Sequence, residues 1–140
     1  MAHKLGSAFN LPHGISNALL IDDVIRFNSS EAPLRMGTFP KYSHPHTARR
    51  YAEIAEFLGL SGKDDSEKIE KFIVLIDDLK ETVGIRKTIR DYVPDEQLYL
   101  AKLDQLTLQA FDDQCTGANP VYPLIEDIKQ IYLDAYEGKY

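Results

Sequence analysis

His3 and His13 are the side chains with the plainest chemical use. Imidazole binds iron, zinc and copper and titrates near neutrality. His3 lies in the short helical stretch MAHKLGSAF, and His13 in Pro12-His13-Gly14 at the mouth of the next helix. Spacing alone favours a plainer assignment, one capping or core histidine and one surface histidine, because a two-histidine spacing is a weak motif. His44-Pro45-His46 sets two imidazoles in a proline-rich loop. Few acids are near, and a metal needs further ligands and partners that orient them. Four adjacent carboxylate pairs occur: Asp22-Asp23, Asp64-Asp65, Asp77-Asp78 and Asp112-Asp113. Neighbouring helix positions diverge by about 100°, so such pairs usually form solvated faces or caps. Asp112-Asp113 stands apart because it precedes the CTGANP turn. Cys115 is the single cysteine, which excludes an intrachain disulfide and fits a reducing cytoplasm. Its plain reading is a small buried residue.

The elements that must hold these groups read as helices nearly throughout. Gly14 to Asn28 carries Ile15, Ala18, Leu19, Ile21, Val24, Ile25 and Phe27, a wide apolar stripe that predicts one helix buried on most sides. Glu31 to His46, with Pro33, Pro40, Pro45 and Gly37, reads as a loop. Thr47 is placed to cap a helix ending near Leu58, before Gly59. Another helix is predicted from Asp65 to Val83, with Ile69, Phe72, Ile73, Leu75, Ile76 and Leu79 inward and Gly84 closing it. Pro94 reads as a first-turn proline, followed by two short helices with a break near Asp104. Pro123 opens the last helix. No stretch alternates with period two. The expectation is an all-α helical bundle, residues 1–140 forming a single domain of about six helices.

Composition narrows the class. The chain has 140 residues and a formal charge of −6, with 44% hydrophobic and 27% charged residues, ordinary for a soluble globular domain. An acidic chain repels nucleic-acid phosphates unless it carries a basic patch, and Arg49-Arg50 is only a pair, so no nucleic-acid partner is expected. No run approaches the roughly 20 apolar residues of a membrane span, so no membrane partner is expected either.

The letters around the histidines carry more than their spacing. MAHKLGSAFNLPHGISNALLIDDVIRFN resembles the metal-site region of the iron-dependent alcohol dehydrogenases, in the form found in the alcohol dehydrogenase portion of bifunctional aldehyde-alcohol dehydrogenases. AFDDQCTGANPVYPLIEDIKQIYLDAY resembles the closing segment of the same family, and RRYAEIAEFLGL and KIEKFIVLIDDLKETVGIRKTIRDY resemble its middle. Val121 departs from the pattern, since such proteins commonly carry arginine there.

The resemblance implies a two-domain enzyme with an N-terminal dinucleotide-binding domain and a C-terminal helical domain, to which this chain corresponds. It implies an oxidoreductase that interconverts a small alcohol and its aldehyde, such as ethanol and acetaldehyde, with NAD and Fe²⁺, or Zn²⁺, as cofactors. His13 falls on a metal ligand. His3 falls on a residue near the substrate and nicotinamide, suited to passing a proton. Cys115 falls near the substrate cleft. The family holds its metal with one aspartate and three histidines, and the ligand one helical turn before His3 would fall upstream of Met1. This chain also has no glycine-rich phosphate loop. The expectation is therefore a partial piece, cytoplasmic, inactive alone and binding neither iron nor NAD tightly. Loss of the nucleotide-binding half predicts that Phe9, Leu11 and Ile15 are unusually exposed or pack on another copy, with self-association or filament assembly as a possible outcome. The alternative is a non-enzymatic helical assembly module.

Overall fold

The computed structural model describes residues 1–30 and 46–139. Among these the chain forms seven α-helices and no strand: α1 (Ala2–Phe9), α2 (His13–Ala18), α3 (Ile21–Asn28), α4 (Thr47–Phe57), α5 (Asp65–Thr82), α6 (Glu96–Phe111) and α7 (Ile125–Glu137), with a 3₁₀ turn at Thr116–Ala118. The all-α expectation holds. The Glu31–His46 loop lies outside the described residues, except for His46 at the N-terminal end of α4.

Local chemistry explains most helix ends. The Asp64 side chain accepts the Glu67 N–H at 2.8 Å and opens α5. The Asp95 side chain accepts the Leu98 N–H at 3.0 Å and opens α6. Pro94 thus lies just before the cap rather than in the first turn. Pro123 likewise precedes α7, where the Asp127 carboxylate takes the Leu124 N–H at 2.8 Å. Thr47 is the first residue of α4, and the cap position falls to His46, which makes no side-chain cap bond. Gly59 and Gly84 follow α4 and α5 with φ of 80° and 76°, a left-handed backbone that glycine tolerates best.

Two helix assignments are corrected. The helix expected from Gly14 to Asn28 is two helices. The Leu20 N–H bonds the Asn17 carbonyl at 3.2 Å, an i→i−3 bond that tightens the turn, and α3 starts on a new axis. Leu19 and Leu20, at the bend, both lie in the core. In the other direction, α6 runs unbroken through Asp104. Tyr99, Leu103, Leu106, Thr107 and Ala110 keep helical spacing inward, and nothing in the stretch interrupts the backbone bonds. The inward face of α5 is also narrower than the sequence suggests. Ile69 and Ile73 are buried, but Leu75 and Leu79 face outward.

The main core joins α1, α6, α7 and the α2–α3 bend. Its centre holds Leu5, Leu19, Leu106 and Ile128, with three fully buried tyrosines. Buried phenols need partners. Tyr99 donates to the Tyr132 carbonyl (2.8 Å), Tyr132 to the Met1 carbonyl (2.9 Å) and Tyr136 to the Val93 carbonyl (3.2 Å). The rings of Tyr99 and Tyr136 stack with centroids 4.1 Å apart.

A second apolar cluster, Ile25, Ala52, Ile69 and Ile73, fastens the α4–α5 hairpin to α3. Two ion pairs reinforce that seam, Asp22–Lys80 and Arg26–Glu70. Phe9, Leu11 and Ile15 are half-buried against the main core, so the expected bare patch does not lie there. Phe57, Val83 and Leu79 are the most exposed of the large apolar side chains among the described residues.

Candidate functional site

A tight reversal of the chain brings the two histidines together. Asn10 ends α1 in the left-handed region, with φ 53°, where asparagine is one of the few tolerated side chains. Its N–H and that of Leu11 both reach the Gly6 carbonyl. Pro12 then leads directly into α2, whose first residue is His13. The helices come too close for a side chain at Gly6, since a Cβ there would sit 2.9 Å from the Leu11 carbonyl oxygen and 3.2 Å from the Ser16 hydroxyl. The result is an imidazole stack: the His3 and His13 rings lie 4.4 Å apart between centroids and 17° from parallel. One turn further along α2, the Asn17 amide donates to His13 Nε2 at 3.0 Å.

The stack borders a cavity of about 570 Å³. Its walls are mostly apolar: Ala2 of α1, Leu20, Ile21, Val24 and Phe27 of the α2–α3 bend and α3, and Ile128 and Ile131 of α7. Its polar groups are His3, His13, Asn17, Asp113, Cys115, Thr116 and Asn119. The structure therefore brings together His3, His13 and Cys115. The thiol is exposed, so the plain reading of Cys115 as a buried residue does not hold.

The Asp113–Asn119 turn is braced from three sides. Asp113 Oδ1 accepts the Cys115 N–H at 3.0 Å, and Oδ2 pairs with the Lys4 ammonium at 3.1 Å. The Cys115 N–H first, then Lys4, hold the Asp113 carboxyl down at a pKa of about 2. The Thr116 hydroxyl donates to the Ala110 carbonyl at 2.6 Å. Asn28 and Asn119 exchange amide hydrogen bonds of 3.3 and 2.7 Å, tying the turn to the end of α3. The neighbouring Val121 is buried.

The other candidates separate from this site. His46 precedes α4 at its cap position, and His44 lies outside the described residues. Asp64 is a cap, and Asp77 pairs with Lys80 at 2.7 Å. Asp22 and Asp23 are not on a solvated face: they are 1% and 7% exposed, because α3 turns them toward α5 and α7. Burial raises the Asp22 carboxyl against the pull of Lys80. Lys80 is opposed by burial too, yet its hydrogen bonds to Asp22 and Asp77 hold its pKa above the usual lysine value. Asn17, Asn28 and Lys4 escaped the sequence reading. The i to i+4 spacing of His13 and Asn17 was the one local signal for any of them.

The donor chemistry suits one share of a nitrogen-rich metal site. No group of three or more His, Cys, Asp or Glu side chains placed to hold a metal ion occurs among the described residues. Nor, among them, is any helix long and apolar enough to cross a membrane.

Comparison with known proteins agrees with this geometry. The chain is 52% identical over 141 aligned positions to the bifunctional aldehyde-alcohol dehydrogenase of Escherichia coli (strain K12), covering 99% of this chain and 16% of that protein. It is 42% identical to the aldehyde-alcohol dehydrogenase of Clostridium acetobutylicum, covering 98% of this chain and again 16% of the relative. The solved structure of the iron-containing alcohol dehydrogenase from Thermococcus thioreducens superimposes with a TM-score of 0.78 at 30% identity, covering 99% of this chain and 31% of that one. A model of the Fe-containing alcohol dehydrogenase family, C-terminal, matches residues 1–136, and the chain belongs to that family as its C-terminal helical part.

Proposed function

We propose that residues 1–140 form the helical wall of the site of an NAD-dependent, iron-dependent alcohol dehydrogenase that interconverts a small alcohol and its aldehyde. A dinucleotide-binding domain and the remaining metal ligands would come from outside this chain. The observation that supports the reading best is the His3–His13 stack at the edge of a mostly apolar cavity. His13 would give one imidazole to Fe²⁺, or to Zn²⁺, which when bound supplies Lewis-acid polarisation of the alcohol or carbonyl oxygen.

The chain's own residues have separable tasks. Leu20, Val24, Phe27 and Ile131 line the cavity with carbon and exclude water, which strengthens the polar interactions left inside. The mostly carbon walls suit the apolar end of a small alcohol such as ethanol, or of its aldehyde. His3 is stacked on His13 and open to solvent, and would hold a proton at a ring nitrogen and pass it outward. Cys115 lines the same cavity.

One imidazole share does not hold a divalent metal firmly, since catalytic sites use about three protein ligands. The 140-residue chain assayed with ethanol, NAD⁺ and added Fe²⁺ should show no turnover above a metal-free blank. Reproducible NADH formation by the purified chain would contradict the proposal.

A further inference from the structure

His3 and Asp113 share a position that the apolar cavity alone does not explain. Both also line a second, more polar pocket on the other side, with Lys4, Ser7, Gln109 and Asp112. The two side chains thus stand between the two spaces. Asp113 touches both elements that flank them. One carboxylate oxygen takes the backbone N–H of Cys115, and the other takes the ammonium of Lys4, the residue after His3 on α1. The ion pair is partly sheltered, with the Asp113 side chain 18% and the Lys4 side chain 30% exposed. No other side-chain hydrogen bond or ion pair among the described residues is seen to join α1 to this turn, although Lys102 holds the far end of α1 through the Ala8 carbonyl.

We infer that Asp113 is a positioning residue: it latches the Cys115 turn onto α1 and thereby sets where His3 and the Cys115 thiol stand in the cavity lining. Two chemically distinct bonds give it this role. The N–H bond shapes the turn itself, and the charge pair draws the shaped turn against α1. Loss of either removes one of the two bonds that hold the near side of the turn, while Asn119 and Thr116 still hold its far side to α3 and α6. The consequence for catalysis rests on the function proposed above. The latch does not, and it is tested without any activity measurement.

Cys115 is the single thiol and is exposed, so its pH-independent rate of reaction with a neutral maleimide, taken from a rate–pH profile that removes changes in thiolate fraction as neighbouring charges are lost, reports loosening of the turn. Asp113→Ala and Lys4→Met should label about three- to tenfold faster than the parent chain, the range for loss of a partly screened ion pair or its neighbouring hydrogen bond. Asp104→Asn, which removes an equal charge from an exposed pair with Lys129, should label at the parent rate. Lys4→Arg, which keeps the cation, should restore slow labelling. The Hε1 proton resonances of His3 and His13, which feel each other's ring, should move in Lys4→Met and return in Lys4→Arg. Should Asp113→Ala fail to fold, the two Lys4 variants decide the matter. Labelling within twofold of the parent and unmoved histidine resonances in Lys4→Met, or a Lys4→Arg chain that behaves like Lys4→Met, would overturn the inference.

Discussion

Asp23 makes folding of this chain sensitive to pH, and replacing it with asparagine should remove that sensitivity. The side chain is 7% exposed, and Oδ2 has no hydrogen-bond partner among the described residues. Burial first, then the charges of Asp134 on α7 and Asp22 beside it, raise its pKa from 3.8 to about 7, only partly offset by Arg26 and Lys80. The unfolded chain therefore gives up this proton near pH 4, whereas the folded chain keeps it until about pH 7. Stability from this group is full below pH 4 and is lost as pH rises to 7. The full loss corresponds to about 4 kcal/mol, of which about 2–3 kcal/mol falls between pH 5 and pH 8. Asp23→Asn mimics the protonated acid in shape and removes the loss. Its stabilisation relative to the parent, measured by urea unfolding, should grow by about 2–3 kcal/mol from pH 5 to pH 8, a midpoint shift of about 1–2 M. Comparing the two chains at each pH cancels the opposite trend from carboxylates such as Asp113, whose pKa is lowered. An equal stability difference at both pH values would refute the reasoning.

Two further substitutions probe what holds the site's walls. Lys80→Met should destabilise the chain by about 3–5 kcal/mol, because it strands the Asp22 carboxylate, 1% exposed, without its cation; the double variant Lys80→Met, Asp22→Leu should recover most of that loss in urea unfolding, and no recovery would count against the buried pair. Gly6→Ala puts a methyl group against the Leu11 carbonyl, so it should separate α1 from α2 and shift the Hε1 resonances of both His3 and His13, visible by proton NMR, while costing about 1–3 kcal/mol. Unshifted resonances in a folded Gly6→Ala chain would show that the close approach does not govern the stack.

The sequence was most legible where one residue dictates local geometry. Asp64, Gly59 and Gly84 mark their helix ends because a side-chain oxygen or a left-handed turn is a local requirement. It was least legible where tertiary packing overrides local preference. Nothing between Gly14 and Asn28 announces a bend, because the interruption at Leu20 lies in backbone bonding that the side-chain pattern does not record. The leucines of α6 span both faces, so the pattern hinted at a break that continuous backbone bonding removes. Asp22-Asp23 looked like a solvated pair because the cation that draws Asp22 inward is 58 residues away in sequence. The same division runs through the site. His3, His13 and Cys115 were singled out from the sequence, and the structure lines one cavity with all three. Their supports, Gly6, Asn17, Lys4 and the Asn28–Asn119 pair, act through contacts that spacing does not reveal.

The claim that His13 is a metal ligand can be tested in a chimera in which this chain replaces the matching segment of the Escherichia coli bifunctional enzyme, to which it is 52% identical. Iron content of the purified chimera and of its His13→Ala variant, measured by elemental analysis beside a fold check by circular dichroism, is the decisive comparison. The account predicts about one iron per alcohol dehydrogenase site in the chimera and at least tenfold less in the folded variant, as expected for loss of a direct ligand. Iron retained at the parent level by a folded His13→Ala chimera would contradict it.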